Sequence, residues 1–232
     1  MPKICADLFK DCPNLEEIDL TGCDTSQVQG NFRGIFESCR GLKRIKGLKW
    51  LNLKNIRMFA YCSNLTEVDL SGINADKVPS KKEMFLACIK LKQIDISNFK
   101  FDNVFSMNGM FEYCQNLSKV DLGKRDTPEQ IKLNFIDRMF LGCSNLTTVD
   151  LSRLDTSEVI NMSGMFQGCM ELKELDLKHF ITDKVERMDH MFYGCKNLSK
   201  LDISNLTTKS IYRSGRGTTD MQLLIATHFL NP

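Results

Sequence analysis

Eight times along this chain a phenylalanine is followed three residues later by a cysteine and three residues after that by a leucine, at Phe9, Phe36, Phe59, Phe85, Phe111, Phe140, Phe166 and Phe192. The cysteines of these units, Cys12, Cys39, Cys62, Cys88, Cys114, Cys143, Cys169 and Cys195, are separated by 27, 23, 26, 26, 29, 26 and 26 residues. A period near 26 lies within the roughly 20 to 29 residues of a leucine-rich repeat. A unit this short cannot cover its own apolar side, so each must bury it against the next. The chain is therefore expected to stack into one elongated array rather than to fold around a single compact centre.

The unit ending in MSGMFQGCMELKELDL shows the pattern most clearly. Met162, Met165, Phe166 and Cys169 fall at spacings of three, one and three, which predicts one face of a short helix. Leu172, Leu175 and Leu177 follow as LxxLxL, with Asp176 between apolar neighbours, which predicts a short strand with one wet face. Gly142, Gly168 and Gly194 precede ladder cysteines, where a helix ends in a left-handed residue. Thr127, Pro128 and Gln130 read as a helix start. The fold class is thus α/β, a leucine-rich-repeat solenoid of about eight coils, each a short helix plus a short parallel β-strand. It is expected over residues 1–206, with 207–232, including DMQLLIATHFL, as a C-terminal cap or partly disordered tail.

Charge and cysteine placement narrow the function. The 31 basic and 29 acidic residues leave a net charge of +2, so no whole-molecule field draws the chain to nucleic acid or an anionic membrane. No basic and apolar leader opens the sequence and no apolar run approaches the ~20 residues of a membrane span, so a soluble chain without membrane insertion is expected. Zinc needs converging ligands, and neither CxxC pairs nor clustered histidines occur; His179, His190 and His228 are scattered. The in-line cysteines are expected to be buried free thiols, with disulfides between adjacent coils as the alternative; Cys5 and Cys23 stand outside the ladder. Catalysis needs a nucleophile, base and orienting group brought together, and no such set is visible. No enzyme activity and no cofactor are expected. The Met and Phe repeats are core packing.

Two surface sites follow from stacking. The middle of each strand places Asp19, Asp69, Asp95, Asp121, Asp150, Asp176 and Asp202 in one line, interrupted by Lys46. At ~4.8 Å between strands these carboxylates must be hydrated, hydrogen-bonded to nearby Ser or Thr, or neutralised by Lys119, Lys200 or a basic partner. They are either a structural device of a narrow sheet or a surface for a basic peptide or cations. The second site is the only long stretch free of acidic residues, between Glu37 and Glu67, which holds Lys43, Arg44, Lys46 and Trp50. These residues suit an acidic partner such as a sulfated glycan, a phosphate or an acidic protein segment, with the aromatic available for stacking. Asn64, Asn116, Asn145, Asn161, Asn197 and Asn205 match the N-glycosylation pattern, and their plain role is in turns.

With LxxLDLS, DTSxV, MxxMF and GC on the page, the chain resembles the BspA-like leucine-rich-repeat family, through LTTVDLSRLDTSEVINMSGMFQGC (Leu146 to Cys169) above all and from about Leu8 to Leu206 overall. The departures are the 23-residue third unit, Lys46 in the aspartate row and Lys81 where a methionine is expected. The resemblance implies a non-catalytic surface or secreted protein engaged in adhesion, with a protein or glycan ligand. An intracellular, cytoplasmic interaction scaffold is the alternative. Homo-oligomerisation through the solenoid ends is a further expectation.

Overall fold

The structure, a computed structural model, is described for residues 6–23, 33–48, 57–70, 80–97, 104–123, 131–203 and 205–206. Its strands are β1 (Glu17–Asp19), β2 (Arg44–Lys46), β3 (Gln93–Asp95), β4 (Lys119–Asp121), β5 (Ile131–Lys132), β6 (Leu154–Asp155), β7 (Glu174–Asp176) and β8 (Lys200–Asp202). They pair in parallel as β1 with β2, β3 with β4, β5 with β6 and β7 with β8. Coils are numbered 1 to 8 by their ladder cysteines, Cys12 to Cys195. The LxxLDL strands of successive coils lie side by side in register, Ile94 opposite Val120 and Leu175 opposite Leu201. In β2, β3, β4 and β7 the middle residue is buried and both neighbours are exposed, the alternation a one-faced sheet requires.

A continuous parallel sheet is not what forms. Glu67–Asp69 of coil 3 and Thr148–Asp150 of coil 6 occupy the strand position but are not strands, so the strand face is divided into pairs. The remaining pair, β5 and β6, lies at the segment before the next double turn. A line of single parallel bridges, Ser80–Ser106–Phe135–Asn161–Arg187, precedes that turn in successive coils.

The predicted helix is corrected. Among the described residues the MxxMFxxC segment contains no α-helix; it is a chain of tight turns. In coil 7 the N–H groups of Met165, Gln167 and Cys169 donate to the carbonyls three residues back, at 3.2, 3.1 and 3.0 Å. The intervening N–H groups of Met162, Gly164, Phe166 and Gly168 donate instead to Arg187, Asp189, Met191 and Tyr193 of coil 8, at 2.7 to 2.9 Å. Half the amides therefore close turns and half join coils. The device that makes this possible is a left-handed residue five and one positions before the cysteine: Gly164 (φ 61°) and Gly168 (φ 75°) here, Arg138 (φ 55°) and Gly142 (φ 73°) in coil 6, Glu83 (φ 54°) and Ala87 (φ 56°) in coil 4. A positive φ at the third residue of a turn is the type II geometry, and two of them four residues apart cannot belong to one right-handed helix. The left-handed glycine expected before the cysteine is present at Gly142, Gly168 and Gly194, but it closes a turn rather than a helix. The predicted helix start at Thr127, Pro128 and Gln130, and the tail after Leu206, lie outside the described residues.

The core is a set of columns. Phe9, Phe36, Phe59, Phe85, Phe111, Phe140, Phe166 and Phe192 stack ring on ring with centroids 5.3 to 5.9 Å apart and planes within 15° of parallel. The distances fit offset stacking, worth about 0.5–1.5 kcal/mol per pair beyond burial. Beside this column the ladder thiols are free, those from Cys39 onward aimed at the coil before: Cys62 Sγ lies 3.1 Å from Phe36 O, Cys114 Sγ 3.0 Å from Phe85 O and Cys195 Sγ 3.1 Å from Phe166 O. Cys23 is also a free thiol, half-buried; Cys5 lies outside the described residues. Lys81, which stands in the methionine column of Met107, Met162 and Met188, is fully buried like them.

Candidate functional site

The strand face is where the fold brings the sequence-predicted residues together, and β1, β3, β4, β7 and β8 each end there on a carboxylate, β2 on Lys46. Asp19 Oδ1 accepts a hydrogen bond from Thr21 N–H at 2.8 Å, Asp95 from Ser97 at 2.9 Å, Asp121 from Gly123 at 2.8 Å, Asp150 from Ser152 at 2.9 Å and Asp176 from Lys178 at 2.9 Å. Ser97 Oγ adds a second bond to Asp95 at 2.6 Å. Each aspartate turns the chain out of the sheet by satisfying the amide two residues on. The bonds from Thr21, Ser97 and Ser152 hold the carboxyls of Asp19, Asp95 and Asp150 below the usual carboxylate range, because each stabilises the charged form. Asp95 stands directly opposite Asp121, and Asp176 opposite Asp202. At the strand spacing such a pair repels by about 1 kcal/mol in water, which the turn bonds and nearby cations offset. Lys178 Nζ is 3.8 Å from Asp202.

The same device recurs at the other corners of the coil. Ser157 N–H donates to Asp155 Oδ1 at 2.9 Å and Ser163 N–H to Asn161 Oδ1 at 3.0 Å, the bonds made by the DTS and NMS segments of that coil. The aspartate row thus has a structural role at every coil where the bond is seen, and it remains exposed to solvent as well.

The basic window does not stand alone. Lys43 Nζ lies 2.9 Å from Glu16 and Arg44 Nη1 3.8 Å from Glu17, both in coil 1, while the charge of Lys46 acts on Asp19. Charges therefore alternate across the β1–β2 pair, as they do where Lys200 meets Glu174 at 3.6 Å. All of these side chains are more than half exposed, so the pairs are worth little in stability and leave their outer surfaces available. Trp50 lies outside the described residues.

Two open clefts occupy the strand face where pairing is interrupted. One, of 620 Å³, has Ile45, Val68 and Ile94 as floor, Asp69, Asp95 and Asp121 along one side, and Arg44, Lys46 and Lys119 among its cations. The other, of 710 Å³, repeats the arrangement over coils 6 to 8, with Val149, Leu175 and Leu201 below and Asp150, Asp176, Asp202, Lys178 and Lys200 around them. His179 joins this second cleft, its Nε2 2.8 Å from Leu151 O. Lys43 and Asp19 are not among the cleft residues; the other described candidates are.

Two clusters were missed from sequence. On the turn face Arg57 bridges Glu37 at 3.0 Å and Glu83 at 3.4 Å across three coils, and Arg138 joins Glu112 at 3.8 Å and Asp137 at 3.7 Å. Burial pushes the carboxyls of Glu112 and Asp137 up, against the pull of Arg138; Asn108 donates to the Asp137 carboxylate. The second is Arg153, 5% exposed, whose Nη1 donates to Leu122 O at 2.8 Å and Ser97 O at 3.0 Å, two coils away. The first falls on repeat positions, with Arg57, Glu83 and Arg138 five residues before a ladder cysteine and Glu37 and Glu112 two before one, but the residue type there changes from coil to coil, so apolar spacing does not mark it. Among the described residues no group of three or more His, Cys, Asp or Glu is placed to hold a metal ion, and no helix is long and apolar enough to cross a membrane.

Comparison with known proteins agrees with this architecture. The model of a family described as "Mycoplasma protein of unknown function, DUF285" matches residues 31–135 and 124–221. No curated protein matches. Among solved structures the chain is similar to a T. pallidum leucine-rich-repeat protein, at 21% identity and TM-score 0.51 over 88% of this chain and 78% of that one. A leucine-rich-repeat protein from Bacteroides ovatus matches at 20% identity and TM-score 0.43 over 84% of this chain, which spans 56% of that protein. The first likeness establishes the leucine-rich-repeat fold, and the repeat is of the bacterial BspA-like kind.

Proposed function

This chain belongs to the family described as Mycoplasma proteins of unknown function, DUF285, and from that premise we propose that it is a non-catalytic recognition protein that adheres to a protein ligand at a cell surface. The observation that carries the reading is the strand face. Coil after coil it exposes charged side chains around a buried or half-buried apolar one, and where pairing is interrupted the face holds a pair of clefts, each with an apolar floor edged by carboxylates and cations. A surface that repeats its chemistry along one direction suits a ligand that lies along several coils, because contacts too weak alone add when presented together. The first cleft offers carboxylates and cations side by side, which suits a charged protein segment more than an apolar one. Location at the surface rests on the BspA-like resemblance.

The test has two arms. Purified chain is titrated with a lysine-rich and a glutamate-rich peptide of equal length, comparing the parent with Asp95→Lys/Asp121→Lys and with Lys43→Glu/Arg44→Glu/Lys46→Glu. A change of at least about tenfold, near 1.4 kcal/mol, in either peptide supports the strand face; equal binding by all three proteins removes it. Protease treatment of intact producing cells, followed by detection of the native protein, decides location. Full protection with release only on lysis would favour the intracellular scaffold, the reading that the reduced thiol ladder suits.

A further inference from the structure

The corner that follows the thiol column differs chemically from the rest of the surface. Tyr113 is 47% exposed, although it sits one residue before a fully buried cysteine. It holds a left-handed backbone (φ 59°), and its N–H is bonded to Leu141 O of the next coil at 2.6 Å. Its ring lies against the bare backbone of Gly142, where an added Cβ would fall 2.6 Å from Cδ1 and 3.1 Å from Cε1. The ring is thus set in place by glycine below and open to solvent above. Around it the two coils bring neutral hydrogen-bonding groups. Ser144 Oγ donates to Gln115 O at 3.2 Å, Asn145 N–H to the same carbonyl at 3.1 Å, and Asn145 Nδ2 to Asn116 Oδ1 at 3.4 Å. That pairing leaves a donor on Asn116 and an acceptor on Asn145, both exposed side chains. In a chain that is 26% charged, Tyr113 to Ser118 and Leu141 to Val149 contain no Asp, Glu, Lys or Arg.

We propose that Tyr113, seated on Gly142 and flanked by Gln115, Asn116 and Asn145, is a binding platform for a neutral carbohydrate, separate from the strand face. An immobilised aromatic ring covers the C–H face of a pyranose, burying apolar area at little entropic cost because the ring is already fixed. A row of amides that offers both donor and acceptor matches adjacent sugar hydroxyls, each of which also donates and accepts. Tyr113, Gln115, Asn116 and Asn145 themselves carry no charge, so a neutral polyol exchanges its water for these groups without ion desolvation, while the exposed charges of Lys90 and Glu171 begin only in the flanking coils.

The experiment is saturation-transfer NMR on the full chain with three neutral hexasaccharides, of β1,4-linked glucose, β1,4-linked N-acetylglucosamine and β1,3-linked galactose, and a heparin hexasaccharide beside them. At least one neutral sugar is expected to receive saturation at its ring C–H protons. That signal should fall at least about tenfold in Tyr113→Ala, as one lost stacking contact predicts. It should return in Tyr113→Trp, weaken in Asn145→Asp, and stay unchanged in the strand-face variant Asp95→Lys/Asp121→Lys. Circular dichroism confirms that each variant is folded. The platform is refuted if no neutral sugar binds at millimolar concentration, if Tyr113→Ala binds like the parent, if heparin alone binds through Tyr113, or if an apolar peptide competes there and the sugars do not.

Discussion

The thiol of Cys143 lies 3.1 Å from the carbonyl oxygen of Phe111, in the coil before it. The same oxygen accepts the N–H of Cys114 at 3.0 Å, so one carbonyl closes its own turn and receives the next coil's side chain. The cysteine is selected by this position: it is small enough for the column, and it carries a donor where a second bond to the carbonyl is available.

That geometry makes the thiols inert in the folded chain. Cys88, Cys114 and Cys143 are fully buried, and burial pushes their thiols up; even Cys195, nearest the end of the described array, is pushed up to about 12. Thiolate is the reactive form. A thiol-exchange reagent at pH 8 is expected to leave Cys39, Cys62, Cys88, Cys114, Cys143, Cys169 and Cys195 untouched until denaturant is added. Mass spectrometry of trapped protein reads the result, and rapid native labelling of the central cysteines would contradict it. Cys143→Ala should cost about 1–3 kcal/mol, through a lost hydrogen bond and a small cavity.

Gly142 and Gly168 separate backbone strain from side-chain clash. Both are left-handed, but a Cβ at Gly142 meets Tyr113 at 2.6 Å, while one at Gly168 has nothing nearer than 3.6 Å. Gly168→Ala is expected to cost about 1–2 kcal/mol, the left-handed penalty. Gly142→Ala should cost more and should raise the exposure of Tyr113, read as a larger drop in melting midpoint and a change in tyrosine quenching. Equal midpoints would show that the ring moves aside freely.

The two kinds of carboxylate predict opposite responses to pH. Asp95 is held below its ordinary range by Ser97, so its contribution is present above the unfolded pKa and is lost as pH falls through the folded value. Glu112 and Asp137 are raised by burial, so the folded state holds their protons more tightly. Their effect on stability grows more favourable as pH falls through the folded value towards the unfolded one. Denaturant titrations from pH 7 to 3 are expected to show Glu112→Gln more stable than the parent at pH 7, with the gap closing in acid. Asp95→Asn should fall behind the parent at pH 7, with its deficit shrinking as pH falls towards 3. A Glu112→Gln gap that widens in acid would reverse the assignment.

Arg153 ties coil 6 to the carbonyls of Ser97 and Leu122. Charge-assisted bonds of this kind are worth about 1.5–3 kcal/mol each when lost. Arg153→Met is expected to destabilise by about 2–4 kcal/mol and to speed amide exchange in the strands Gln93–Asp95 and Lys119–Asp121. A change confined to the segment around Arg153 itself would show that it does not clamp the neighbouring coils.

How far the sequence could be read depended on whether a feature repeats. The columns Phe111, Phe140 and Phe166, and the thiols beside them, were legible because stacking forces each coil to present the same residue at the same place. The exposed aspartate row was legible for the same reason. What the periodicity misjudged was the backbone between them. Residues at i, i+3, i+4 and i+7 point inward in a helix, and they also point inward in a run of tight turns whose direction is reset by a left-handed residue every fourth position. The correcting signal was in the chain: Gly164 and Gly168, or Gly109, stand where a helix interior would pay ~1 kcal/mol for each glycine.

The sequence by itself determined the stacking unit, its register and its buried columns, since those follow from apolar spacing and the need of a short unit to bury its face in its neighbours. Only the tertiary structure decided how the chain passes between columns, where strand pairing lapses at coils 3 and 6, and which side chains meet from non-equivalent positions. Arg153 reaching Ser97 joins different repeat positions two coils apart, while Arg57 spanning Glu37 and Glu83, and Tyr113 resting on Gly142, meet at repeat positions whose residue type changes from coil to coil. Their contacts are set by the separation and offset of particular coils, and those quantities exist only once the coils are stacked.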